Sequence, residues 1–173
     1  MTTTPGADAE GAAVSPPGRL AYLLALAIVV VDQVSKYWVL DVFQLPDRGR
    51  VQVLGPFHLS FVQNEGVSFG LFRGEAEWIR WALCAFSLAV ALGLAIWARR
   101  AERRITGLAV GLVMGGAIGN LIDRARFGWV VDFLDFTDLK FIWVFNVADS
   151  AISVGVALLV LESLFLPAKA PAT

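Results

Sequence analysis

Four stretches of this chain stay apolar for long enough to cross a bilayer, and the polar residues gather in the segments between them. The apolar runs lie near residues 20–40, 78–97, 105–122 and 143–166. An α-helix rises 1.5 Å per residue, so a run of roughly 20 apolar residues spans the ~30 Å hydrocarbon layer. The pattern predicts four transmembrane helices. The connection between the first two is too long for a tight turn and has a pattern of its own: Val51 and Val53, then Phe57, Leu59 and Phe61, alternate on either side of Gly55-Pro56. Period-two alternation around a turn predicts a small sheet, placed at about residues 50–72 on the outer surface. A second outer segment, residues 123–142, is rich in carboxylates and aromatics.

Within the third run Gly107, Gly111, Gly115 and Gly119 recur every four residues, which leaves a smooth face where another helix backbone can approach. Ala85, Ala89 and Gly93 form a weaker stripe of the same kind on the second. Both are read as packing seams. The six tryptophans, Trp38, Trp78, Trp81, Trp97, Trp129 and Trp143, fall near the predicted helix ends, where an amphipathic ring prefers the headgroup level. Arg99, Arg100, Arg103 and Arg104 crowd the short link between the second and third runs. By the positive-inside rule that link and both termini face the cytoplasm, although Arg124 and Arg126 then lie outside, against the trend.

Composition narrows the class. With 57% hydrophobic residues, 17% charged and a mean hydropathy of +0.68, water is not the main solvent of this chain. A net charge of -1 without a clustered basic face argues against a nucleic-acid partner. Cys84 is the single cysteine, so an internal disulfide is excluded, and its apolar surroundings mark it as a core residue. The first run lacks a basic leader and a small-residue cleavage site, so it reads as a retained anchor behind a disordered tail at residues 1–18. The expected organisation is a single membrane domain at 19–167 and a short C-terminal tail at 168–173.

Ionisable groups in a membrane cost roughly 2.5–3.5 kcal/mol each at a helix centre, so each needs a partner or a task. They concentrate in four short segments. In VDQVSK, residues 31–36, Asp32 and Lys36 stand four apart in the order that favours an ion pair on one helical face. In QNEGVSFG, residues 63–70, Asn64 with Gly66 and Gly70 is either a polar turn or a place to hold an extended peptide. In GNLIDR, residues 119–124, Asn120 lies within a turn of Asp123 and Arg124, and VVDF follows at 130–133. Apolar neighbours disfavour the charged form of Asp132 and raise its pKa. In FNVADSAI, residues 145–152, Asn146 is placed to cap the last helix with Asp149 at its third position.

Capping alone accounts for Asn146 and Asp149; what points further is a second apolar-flanked aspartate at the same membrane face. Paired carboxylates share a proton and divide into one acid and one base, able to activate water against a peptide carbonyl. His58 has no metal-ligand partner at helical spacing, and Lys36 has no well-placed serine, so zinc and Ser-Lys chemistry are disfavoured. An ion-coupled transporter using the same acids as a relay is the competing reading. It calls for charges near the midplane and for inverted repeats, and no repeat is visible.

The four segments, in this order and across nearly the whole chain, resemble the motif set of the prolipoprotein signal peptidases (signal peptidase II), a family of aspartyl peptidases. The resemblance implies a four-helix membrane bundle with an extracytoplasmic β-sheet cradle, which removes signal peptides just before a diacylglyceryl-modified cysteine. It implies catalytic roles for Asp132 and Asp149, with Asp32, Lys36, Asn64, Gly66, Asn120, Asp123, Arg124, Asn146 and Ala148 in support. Asn64 and Arg124 would help hold the substrate backbone. The implied partners are lipid-modified prolipoproteins and membrane lipid, with no metal or cofactor and with a monomer as the working unit. The chain departs from the family pattern at Glu65, Val67 and Ser68, which adds charge and bulk beside the peptide groove.

Overall fold

The computed structural model describes residues 13–66 and 76–165. Helix α1, Pro16–Tyr37, begins where Ser15 accepts a hydrogen bond from the Gly18 N–H at 3.1 Å and two prolines occupy its first turn. The Ser15 hydroxyl also donates to the Ala101 carbonyl at 2.7 Å, which ties this helix end to the turn between the second and third spans. Ordered structure thus includes Ser15 to Gly18, inside the expected tail; residues 1–12 and 168–173 lie outside the described residues. A π-helical turn, Trp38–Val42, continues α1, and a short helix α2, Leu45–Arg48, leads to strands β1, Val51–Leu54, and β2, Phe57–Asn64.

Helices α3, Ala76–Ala98, α4, Arg104–Phe127, and α5, Val147–Phe165, supply the other spans. Helix α4 is the central one: 67% of its span is buried, against 17–22% for the other three. Its glycine seam explains why. A Cβ at Gly111 or Gly115 would lie 2.7 or 2.8 Å from the carbonyl oxygens of Ala21 and Ala25, so the α1 backbone packs where a side chain would otherwise stand. Helix α3 does not use Ala85, Ala89 and Gly93, which are exposed toward the lipid side. It packs through Cys84, Ala91 and Ala98, seven residues apart, which suits a helix meeting its neighbours along a narrow seam. Cys84 is a core residue, as expected.

The sheet is larger than the hairpin predicted from alternation. Strands β3, Val130–Asp135, and β4, Val144–Phe145, join it in the order β1-β2-β3-β4, antiparallel throughout. Two boundaries move for this reason. The third predicted span extends through Phe127 and ends at Gly128, whose φ of 88° suits a glycine and whose N–H bonds the Arg124 carbonyl. The fourth starts at Val147 rather than near 143, because Val144 and Phe145 pair with Asp135 and Leu134. Trp129 departs from the headgroup role: it is half-buried against the sheet core and stacks on Phe127 at 5.3 Å, whereas Trp38, Trp78, Trp81, Trp97 and Trp143 are exposed.

Candidate active site

Two groups of carboxylates meet at the sheet end of the bundle. The first is built on Lys36. Its Nζ lies 2.8 Å from Asp32 and 2.8 Å from Asp123, and all three side chains are buried. Backbone donors reach both carboxylates: the other Asp32 oxygen accepts the Ala148 N–H at 2.9 Å, and the Asp123 oxygen that meets Lys36 also accepts the Val131 N–H at 3.0 Å. Asp123 therefore ties α4 to β3, and Asp32 ties α1 to the start of α5. Gln33, which the sequence reading quotes in its motif without a role, donates to Asp123 at 2.9 Å and to Asp32 at 3.1 Å. One ammonium pairs with both carboxylates and every carboxylate oxygen has a donor, as a buried ionic cluster requires.

The second group is Asp132 and Asp149. Asp132 sits on β3, opposite Val62 of β2, and is 1% exposed. One of its oxygens accepts from Asn64 at 2.9 Å, the other from Asn146 at 2.7 Å. Asp149 is half-buried at the third position of α5, where its backbone N–H donates to the Asn146 side chain at 2.9 Å and its carboxylate accepts the Asn146 N–H at 3.3 Å. This is the reciprocal cap expected of an Asx residue followed three later by an acid. Capping leaves one Asp149 oxygen for Asn120, which donates at 2.7 Å. Asn146 also donates to the Asn120 carbonyl at 3.2 Å, and Lys36 lies 3.4 Å from that same oxygen. The ammonium only donates, so Asn120 must turn its oxygen to Lys36 and its N–H to Asp149.

Burial, then the nearby Asp149 carboxylate, pushes the Asp132 carboxyl up to about 6, against weaker lowering by Asn64, Asn146 and Lys36. Among the described residues no lysine or arginine lies within ion-pair distance of either Asp132 or Asp149. Asp132 and Asp149 are thus two nearby acids held by amide donors, with no ammonium or guanidinium paired to either among the described residues.

The structure brings the sequence-derived residues to one place, each with a definable contact. Gly66 has φ 83° and donates its N–H to Asn64 Oδ1 at 2.9 Å, so the Asn64 amide is engaged at both ends. A Cβ on Gly66 would meet Leu83 at 2.6 Å. Arg124 is half-buried beside Gly66; its Nε is buried without a partner among the described residues, and its carbonyl accepts from Arg80 at 2.8 Å. Ala148 is fully buried, its N–H on Asp32. Glu65 is exposed, and Val67 and Ser68 lie outside the described residues. Sequence reasoning missed Arg80 and a polar network around Asp135, whose partners are distant in the chain.

An acid pair held at the end of a bundle of membrane-spanning helices is the arrangement expected of an integral membrane peptidase of the aspartyl type. Comparison with known proteins gives the family. The family model described as Signal peptidase (SPase) II matches residues 24–165. The lipoprotein signal peptidase of Caulobacter vibrioides is 51% identical over 147 residues, covering 84% of this chain and 87% of the relative. That of Trichormus variabilis is 45% identical over 146 residues, covering 84% and 90%. A solved bacterial membrane enzyme superposes with a TM-score of 0.75 at 25% identity, covering 90% of this chain and 99% of that one. The chain belongs to the signal peptidase II family, the multi-pass bacterial membrane peptidases that remove signal peptides from prolipoproteins.

Proposed function

We propose that Asp132 and Asp149 are the catalytic pair of this peptidase and that it cuts on the N-terminal side of a diacylglyceryl-modified cysteine. The observation that carries the reading is the contrast in compensation: Asp123 and Asp32 are held by Lys36, while Asp132 and Asp149 accept hydrogen bonds only from amides. A carboxylate locked to an ammonium is a poor proton acceptor, whereas an acid pair with one proton supplies both halves of the reaction. A water between the two gives a proton to the ionised carboxylate as its oxygen attacks the scissile carbonyl carbon. The other acid donates its proton to the carbonyl oxygen, giving a neutral gem-diol. The diol then breaks its C–N bond: one hydroxyl returns a proton to the pair, and the amide nitrogen leaves as an amine after taking the proton held by the other acid. Asp132, the more buried of the two and raised to about 6, is the member that keeps the proton between turnovers.

The amides hold this geometry. Asn146 and Asn64 fix the two Asp132 oxygens, and Asn120 fixes Asp149. Arg124, whose guanidinium Nη2 lies beside Gly66, is the group placed to receive a substrate carbonyl. Both termini lie in the cytoplasm and the acid pair lies near the outer headgroups, a reading supported by the arginine-rich 99–104 link at the other end of the bundle. The protein works as a monomer among membrane lipids and has no nucleic-acid partner.

The test pairs topology with lipid dependence. Single cysteines placed at residue 55 and at residue 100, in a Cys84→Ala background, are labelled in intact cells by a membrane-impermeant maleimide. Labelling at 55 alone is expected, and labelling at 100 alone would reverse the orientation. Purified protein is expected to cut a lipobox peptide only when its cysteine carries diacylglyceryl; equal cleavage of the unmodified peptide would overturn the substrate assignment.

A further inference from the structure

The placement of Asn64 beside Asp132 depends on a bulge. Strand β2 pairs with β3 as His58↔Asp135 and Leu59↔Leu134, then resumes at Val62↔Asp132 and Asn64↔Val130. Strand β2 thus carries one extra residue at Ser60-Phe61. In an unbroken register Phe61 would face Asp132, Gln63 would follow on that face, and Asn64 would point to the opposite side of the sheet. The bulge moves Asn64 onto the face of Asp132, where its amide reaches the carboxylate at 2.9 Å.

Asp135 is what fixes the bulge. The Ser60 hydroxyl, on the extra turn of β2, donates to Asp135 Oδ2 at 2.6 Å. Arg50, just before β1, donates Nε to the same oxygen at 2.9 Å. The Thr137 N–H and hydroxyl occupy Oδ1 at 2.8 and 2.6 Å. Arg50 extends the network to Asp138 at 2.6 Å, Thr137 at 3.0 Å and His58 Nδ1 at 3.1 Å. Asp135 is 3% exposed; burial pushes its carboxyl up, and the hydrogen bonds of Ser60, Thr137 and Arg50 together outweigh that and hold it well below the usual carboxylate range.

We propose that Asp135, with Ser60 and Arg50, is a positioning residue of the peptidase reaction: it locks the β2 bulge so that Asn64 bonds Asp132, and it acts on catalysis only through Asn64. The proposal rests on the reading of Asp132 as catalytic. Groups facing Asp132 are Asn64 from β2, Asn146 and Asp149 from the start of α5, and Lys36 from α1. The Asn64 bond favours the ionised form of Asp132, the member that must hold a proton, so its loss moves the alkaline limb of the pH–rate profile upward.

The experiment is a double-mutant cycle in the full-length protein in detergent, with kcat, KM and the pH profile measured for wild type, Asp135→Asn, Asn64→Ala, the double variant and Asp132→Asn. Asp135→Asn turns an N–H toward the Ser60 and Arg50 donors while leaving size unchanged. Its kcat is expected to fall roughly 10- to 100-fold with KM within about twofold, as a small misplacement of a reacting group does. Its alkaline limb should rise as in Asn64→Ala, and the double variant should be no worse than Asn64→Ala within about twofold. If the losses multiply, or the limb does not move, Asp135 is a structural residue and the proposal fails. Should Asp135→Asn not fold, Ser60→Ala against Ser60→Thr decides: loss in the first, rescue in the second and the same non-additivity with Asn64→Ala are expected, and additivity refutes. An active Asp132→Asn variant would instead bring down the catalytic assignment and this inference with it.

Discussion

Asp32 with Asp123 and Asp132 with Asp149 make two pairs of buried or half-buried aspartates at one end of this bundle, and only the second pair is proposed to carry the chemistry. Asp32 and Asp123 share the Lys36 ammonium and also hold the Ala148 and Val131 backbones. Asp132 and Asp149 receive only amide hydrogen bonds and lie close enough for one to raise the other's pKa. Residue type is the same in the two pairs, and only Asp149 is less than fully buried. The difference is charge compensation: Lys36 pairs with both carboxylates of the first pair and with neither of the second, and under the proposed function the second pair keeps a proton that it can move.

Removing one carboxylate from each pair separates these roles most sharply. Asp132→Asn and Asp149→Asn are expected to lower kcat by roughly 10⁴-fold while the protein remains folded in the membrane; peptide cleavage with matched protein levels checks this. Lys36→Met breaks the compensated pair and leaves two unpaired carboxylates, a loss of about 3–5 kcal/mol of stability. Its signature is poor yield and early unfolding on heating, whatever the residual activity of the folded fraction.

A smaller effect has the opposite sign. The Asp132 carboxyl, raised to about 6, is disfavoured as an anion by the fold, so its contribution is fully present below the ordinary value of 3.8 and is lost as pH climbs through about 6. Asp132→Asn should therefore be more stable than wild type at pH 8 by about 2 kcal/mol, and the gap should close near pH 4. Equal melting temperatures at pH 8 would contradict the uncompensated state. Gln33→Leu, which removes one donor from the Asp32–Asp123 cluster but leaves Lys36 in place, should cost about 1 kcal/mol and leave the pH–rate profile unchanged.

Much of this was legible from residue order. The spans follow from apolar run length, and the glycine seam of α4 from its period of four. Asn146 and Asp149 were readable as a cap because capping is local, and the structure places that cap beside the acid pair. What escaped was long-range. The pairing of β2 with β3 joins Val62 to Asp132 across most of the central helices, and no local period announces it. Asp123 and Asp132 could be told apart by resemblance alone, since their separation in role depends on which of them Lys36 reaches from α1. The same limit hid the Asp135 network: Arg50 and Asp135 meet only because the sheet closes. Ala85, Ala89 and Gly93 were misread because a small-residue stripe names a face without naming its neighbour, and here that face meets lipid.

The most direct test of the account is single-turnover cleavage of a diacylglyceryl-cysteine lipobox peptide by purified wild type, Asp132→Asn, Asp149→Asn and Asp123→Asn, each normalised to the fraction shown to be folded. The account predicts that the first two variants are inactive and that folded Asp123→Asn retains measurable cleavage. An inactive folded Asp123→Asn alongside an active Asp132→Asn or Asp149→Asn would reverse the assignment of clamp and catalyst.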